Sequence, residues 1–188
     1  MARRSLIRMT RREWLRNAVS VAVAAAALRS ARAATPDLEE LRRRWRELVP
    51  AGLDLPMPTD RLELSDEQWR MRLEPLAYRV LREEATERAH TSPLNAEKRP
   101  GIYVCAGCDL PVFSSEMKYD SGTGWPSFFT TIPDAFATKR DWVLLIPRTE
   151  YHCVRCGGHH GHVFDDGPEP TGERWCNNGA ALRFIAAE

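Results

Sequence analysis

Gly101-Ile-Tyr-Val-Cys-Ala-Gly-Cys-Asp-Leu-Pro-Val-Phe113 decides how the rest of the chain is read. Two short β-favouring runs, Ile102–Val104 and Leu110–Phe113, flank a turn that carries two cysteines with two residues between them. A second such pair, Cys153-Val-Arg-Cys156, follows after 44 residues. A two-residue gap lets both thiolates of a tight knuckle point at one ion, and two knuckles complete a tetrahedron. Cys105, Cys108, Cys153 and Cys156 therefore read as one structural Zn2+ site per chain, with no open position for catalysis. Disulfides and an iron site are the competing readings of the same four residues. Two separate Cys-x-x-Cys disulfides would close small strained loops and leave the knuckles unconnected.

Outward from this core the signals divide. On the N-terminal side Leu38, Leu41, Trp45 and Leu48 fall on one helical face, and Pro50 closes that segment. Residues 50–60 are rich in proline and read as a surface loop. Ser65-Asp-Glu-Gln68 is a capping box opening a helix, and Pro75 begins another that runs to about Glu84. On the C-terminal side Trp142–Ile146 and Ala181–Ile185 are further β-favouring runs between glycine and proline turns. The expected class is α+β, mainly β, with helices first and antiparallel strands after them.

Charge is distributed unevenly. Residues 1–33 hold eight arginines and one acid, while the other 155 carry 19 basic and 25 acidic side chains. A net-negative body is a poor partner for phosphate backbones, so no nucleic-acid partner is expected. The basic leader reads as an address: Arg11-Arg12, an alanine-rich run from Ala18 to Leu28, then Ala31-Arg32-Ala33. That apolar run is too short for a bilayer span, which needs about 20 residues. It resembles a twin-arginine export signal and implies a periplasmic, signal-bearing protein; a retained basic amphipathic helix is the other reading. The expected organisation is a signal over 1–33, a helix and linker over 34–61, and one domain over 62–188.

The fifth cysteine, Cys176, lies in Gly172-Glu-Arg-Trp-Cys-Asn-Asn-Gly179. Arg174 and Asn178 would share its strand face, and the Arg174 charge is expected to lower the thiol pKa. Gly157-Gly-His-His-Gly-His-Val-Phe-Asp-Asp-Gly-Pro168 supplies His159 and His162, free for acid–base work if cysteines fill the metal shell. Tyr119-Asp-Ser-Gly-Thr-Gly-Trp-Pro-Ser-Phe128 sets Trp125 between turns, where it can wall a small apolar pocket.

Taken in order, the Cys105–Ser115 run, Gly-Trp-Pro-Ser-Phe, Gly-His-Val-Phe-Asp-Asp-Gly-Pro and Arg-Trp-Cys-Asn-Asn resemble the methionine-R-sulfoxide reductase family over roughly Leu62 to Phe184. The resemblance implies two antiparallel sheets in a barrel-like body, a four-cysteine zinc, and an oxidoreductase for protein repair under oxidative stress. It implies a single-chain enzyme that acts on proteins or peptides containing methionine sulfoxide and is recycled by a thioredoxin-like reductant. Cys176 would be the nucleophile, with His162, His159, Asn178, Arg174 and Asp166 around the sulfoxide oxygen and Trp125 and Phe128 holding the substrate. Many relatives carry a resolving cysteine where this chain has Thr123, and Trp175 and His160 are further departures from the pattern. A non-catalytic zinc-ribbon interaction module and a disulfide-stapled structural protein are the other readings.

Overall fold

The computed structural model describes residues 37–141 and 148–188. The leader and the Trp142–Ile146 run lie outside the described residues. Those described belong to one compact unit spanning Pro36–Glu188, and no helix among them is long and apolar enough to cross a membrane.

Three short helices come first. Helix α1 (Leu38–Arg43) starts where the Asp37 carboxylate accepts from the Glu39 N–H, and it tightens into a 3-10 turn over Arg44–Leu48. Leu41 and Trp45, four residues apart, enter the core together. Helix α2 (Asp66–Arg72) opens on the expected capping box. Ser65 Oγ accepts from Gln68 N at 3.2 Å while Gln68 Oε1 accepts from Ser65 N at 2.8 Å. Helix α3 (Pro75–Glu83) has proline at its start, where an N–H would be unpaired anyway, and ends as Glu84 turns left-handed. It buries Ala77, Tyr78, Val80 and Leu81.

All strand pairs are antiparallel. Strand β1 (Gly101–Cys105) sits between β2 (Pro111–Ser114) and β9 (Leu182–Ala186) in a three-stranded sheet. Pro111 has no N–H to give, which suits β2 at the sheet's edge. The second sheet runs β3 (Lys118–Tyr119), β4 (Ser127–Phe128), β8 (Arg174–Asn177), β7 (His159–Phe164), β6 (Arg148–Cys153), β5 (Phe136–Asp141). The two sheets stay open, so the barrel-like closure implied by the resemblance does not form. Their ends are protected individually. Strand β3 has only two residues, and β5 carries exposed Lys139 and Arg140 along its free edge.

Aromatic rings fill the space between the sheets. Phe113 of the smaller sheet stacks on Phe128 of the larger at 3.9 Å, and Tyr103 meets Phe128 edge-on at 5.1 Å. Tyr151, Phe136 and Trp175 continue this layer. Trp175, unexplained by sequence, is thus half-buried against the core, and its indole N–H donates to the Glu173 carboxylate at 2.9 Å.

Strands β7 and β8 approach so closely at Gly161 that a Cβ there would overlap the Cys176 carbonyl. Backbone cannot yield as a flexible side chain would. Gly161→Ala is expected to lower stability by about 1–3 kcal/mol, as overpacking does. A urea-denaturation midpoint unchanged from wild type would refute this reading of the contact.

Candidate active site

The two knuckles converge. The first follows β1 and turns through Asp109, whose N–H reaches the Cys105 carbonyl at 2.8 Å. The second follows β6 and turns through Gly157, whose N–H reaches the Cys153 carbonyl at 2.8 Å. Cys105 and Cys156 sulfurs lie 3.7 Å apart, those of Cys108 and Cys153 3.5 Å, and all four fall within 4.8 Å of one another, buried. Disulfide sulfurs would stand about 2.05 Å apart. Four sulfurs at the 2.3 Å bond length of a tetrahedral zinc thiolate are separated by about 3.8 Å, so this quartet fits a metal ion. Three guanidinium groups cap its turns: Arg72 on the Gly107 carbonyl, Arg155 on that of Cys108, and Arg82 on that of Cys156, at 2.8–2.9 Å. The helices thereby hold the knuckles and bring positive charge beside the sulfurs.

His160 joins this cluster to the next one. Wholly buried, it places Nε2 3.3 Å from Cys105 Sγ and Nδ1 3.1 Å from Asn177 Oδ1. Asn177 Oδ1 also accepts from the Tyr151 hydroxyl at 2.9 Å. Burial pushes the His160 pKa down to about 3.

Beyond Asn177, the side chains of β8 alternate between core and cavity. Trp175 faces the aromatic layer. Cys176 faces a cavity of about 120 Å³ lined also by Trp125, Arg148, His162, Phe164 and Asn178. In register, Cys176 stands opposite His162 of β7 on one side and Ser127 of β4 on the other. The same alternation corrects the expectation for Phe128. Because Ser127 is the β4 residue beside Cys176, Phe128 turns the other way into the aromatic core and does not line the cavity. Phe164 is the phenylalanine in the cavity wall.

The other expected residues take distinct places. His162 Nε2 lies 2.8 Å from Asp141 Oδ2, which also accepts from Arg148 at 2.7 Å. Burial lowers the His162 pKa, against the pull of Asp141. His159 lies behind the cavity, its ring 5.5 Å from that of His162. Its Nδ1 donates to the buried Glu150 carboxylate at 2.8 Å, which Lys139 approaches at 3.0 Å. Arg174 is buried over the Phe164 ring and forks onto Asp166 at 2.7 and 2.9 Å. Asp166 is itself exposed and reaches the site only through Arg174. For Cys176 the charge argument alone misleads. Burial raises the thiol pKa, and the opposing Arg174 charge and Thr123 hydroxyl do not overcome it.

Glu87 was not legible in the sequence. It sits in the coil after α3, one acid among several, yet it is buried. Its carboxylate accepts from the Gly179 and Ala180 N–H groups, its own N–H donates to Asn178 Oδ1 at 2.9 Å, and its carbonyl accepts from Trp125 Nε1 at 3.1 Å. Asp141, Glu150 and Arg148 were missed for a related reason. Their partners lie on other strands, and no spacing along the chain announces them.

Removing the Arg174 cation leaves burial unopposed, so the Cys176 thiolate becomes scarcer at a given pH. Arg174→Met is expected to slow iodoacetamide alkylation of Cys176 at neutral pH about tenfold, with the midpoint moved upward. An unchanged or faster rate would show that this charge does not act on the thiol.

Comparison with known proteins agrees with this geometry. The SelR domain model matches residues 73–186, from the end of α2 to the last strand. Peptide methionine sulfoxide reductase MsrB of Leptospira interrogans is 50% identical over 121 residues, covering 64% of this chain and 92% of that protein. The Hahella chejuensis protein of the same name is 47% identical over 130 residues, covering 69% and 94%. Peptide methionine sulfoxide reductase B1, chloroplastic, of Arabidopsis thaliana is 48% identical over 126 residues, covering 66% of this chain. The match spans only 62% of that plant protein's length. The motifs, the open two-sheet fold with its four-cysteine cluster, and these matches converge: the chain belongs to the SelR-domain, methionine-R-sulfoxide reductase family.

Proposed function

We propose that this protein reduces the R-epimer of methionine sulfoxide in proteins or peptides to methionine, with Cys176 as nucleophile. The observation that carries the reading is the apposition of Cys176 and His162 across β7 and β8, in a small cavity walled by Trp125. The relatives' names support it. The alkyl–sulfur end of the substrate suits an aromatic wall and the S–O end needs hydrogen bonds, so a pocket with both selects one configuration at sulfur.

The Cys176 thiolate attacks the sulfoxide sulfur as His162 gives a proton to the oxygen. Asp141, accepting from Nε2, fixes the ring and favours its imidazolium form, which carries the Nδ1 proton given to that oxygen. The protonated oxygen then passes to the Cys176 sulfur as the sulfur–sulfur bond and the substrate S–O bond break, leaving a sulfenic acid. Cysteine sulfur gives up two electrons, the substrate sulfur gains them, and methionine departs. Asn178, fixed by Glu87, and Arg174, forked onto Asp166, hold the polar side of the cavity, and His159 supports His162 from behind. With Thr123 in place of a resolving cysteine, an external thiol displaces water from the sulfenic acid, and a second thiol frees Cys176 as thiol. A thioredoxin-like reductant suits both steps.

The four knuckle cysteines would hold zinc as a structural ion that fastens the turn after β1 to the turn after β6. A four-thiolate zinc contributes on the order of 10–16 kcal/mol of apparent binding energy, comparable to the stability of a whole domain. The leader is read as a twin-arginine-type signal that sends the protein, acting as a monomer, to the periplasm. A zinc-ribbon module without catalysis would leave Cys176, His162 and the Trp125 wall without purpose.

Two measurements test this. Single turnover with each epimer should yield about one equivalent of methionine from the R form, essentially none from the S form, and none from Cys176→Ser. The wild-type chain should then be heavier by one oxygen; comparable rates on both epimers, or an internal disulfide at Cys176, would overturn the scheme. Metal analysis should find one zinc per chain, with Cys105→Ser insoluble or unfolded. A metal-free, fully active wild type would remove the zinc reading.

A further inference from the structure

A second and larger cavity, about 680 Å³, adjoins the one that holds Cys176 and shares Trp125 as a wall. Strand β3, the edge of the larger sheet, supplies Lys118 and Tyr119, and the segment before β1 supplies His90, Asn95 and Lys98. The two sides are fastened together next to Trp125. The Gly124 carbonyl accepts from the His90 N–H at 2.7 Å and from the Asn95 side-chain amide at 2.9 Å. Asn95 in turn accepts, through its own carbonyl, from the Lys118 ammonium at 3.0 Å. A single residue thus sets Lys118 relative to the wall of the Cys176 cavity.

The charges in this cavity are unequally committed. Glu97 is taken up by Arg99, which forks onto it at 2.6 and 3.0 Å, and by the Lys98 and Arg99 N–H groups. Asp120 accepts from the Gly122 N–H at 2.9 Å within its own turn. Lys118 is half-buried, and among the described residues its ammonium has no carboxylate partner, only the Asn95 carbonyl. Burial lowers its pKa, against the more distant pull of Asp120 and Glu97. A partly desolvated cation with one neutral acceptor gains most from a carboxylate that arrives with its own charge.

We infer that this cavity receives the stretch of substrate polypeptide beside the methionine sulfoxide, and that Lys118 takes the carboxylate of an acidic residue there. The inference rests on the reading of Cys176 as the nucleophile. Continuity favours this occupant: with the sulfoxide side chain against Trp125, the chain that carries it must pass the same indole, and the larger cavity opens beside it. Its volume suits a short peptide segment, not one side chain. Because β3 is a sheet edge, an extended chain lying there runs along an open strand. Lys118 is then a specificity-determining residue that acts on the substrate away from the reacting sulfur.

Single turnover isolates the substrate from the reductant, which takes no part in it. Peptides with one R-methionine sulfoxide and a single glutamate moved through the flanking positions are compared with the same set carrying glutamine. At the best position the second-order rate constant for methionine formation should be about three- to tenfold higher for glutamate, the worth of one partly desolvated charged contact. Raising the salt concentration should narrow that gap. Lys118→Met should bring the ratio to about one, Lys118→Arg should keep it, and Lys118→Glu should reverse it in favour of a lysine peptide. Each ratio is taken within one protein, so a general loss of activity does not move it. The same peptides titrated onto Cys176→Ser read binding without chemistry and should show the same preference. A ratio near one at every position in wild type, or a ratio that survives Lys118→Met, would overturn the inference. So would a Lys118 effect confined to recycling, which would assign the cavity to the reductant. Failure to form methionine from any peptide would instead overturn the functional reading, and the titrations of Cys176→Ser would still decide the cavity.

Discussion

Four sulfurs gathered within 4.8 Å, out of reach of water, are the constraint on which the two sheets depend. Two come from the turn after β1 in the smaller sheet and two from the turn after β6 in the larger. Such a cluster repels itself as soon as its thiols ionise, so it calls for compensating charge. Arg72, Arg82 and Arg155 approach from the helices and the second knuckle, each on a turn carbonyl. Helices α2 and α3 are therefore attached where the sheets meet, and Leu81 of α3 packs against Gly107 and Gly158 of the two knuckles.

From that junction the order passes to the cavity through few residues. His160 stands between Cys105 and Asn177, and Asn177 sits next to Cys176 on β8. Gly161, the next residue on β7, lets β8 come close enough to set His162 opposite Cys176. Alternation along β8 then separates structural from chemical side chains: Trp175 to the aromatic layer, Cys176 to the cavity. The Cys176 thiol lies on regular backbone, where its neighbours are fixed by register.

What was legible in the sequence is what is local. The knuckles, the Ser65 capping box and the proline that opens α3 all act within four residues, and each forms as read. Strands β1, β2 and β9 were legible because β-favouring residues mark them. Strand β8 was anticipated from the face shared by Arg174 and Cys176, whereas β4 to β7 were hidden by the site they carry. His159, Gly161 and His162 on β7 do not look like strand residues in isolation. Phe128 was misplaced because its face depends on the register with β8, which spacing along the chain does not give. The direction of the Cys176 shift was misread for an equivalent reason. The Arg174 charge is visible two residues away, whereas the depth of burial is set by elements far along the chain.

Glu87 carries a consequence for how such an enzyme can change. Through its carbonyl it holds the indole of Trp125, and through its N–H it holds the amide of Asn178, while its carboxylate secures the turn that follows. Two of these contacts are made by backbone atoms, so they shift together whenever the residue moves. The apolar wall and the polar corner of the cavity are then not independent variables. A change that widens the pocket by moving Trp125 also displaces Asn178, and the effects of two such substitutions should not add. Variation toward a new substrate must either leave this residue alone or alter both sides of the pocket in a single step.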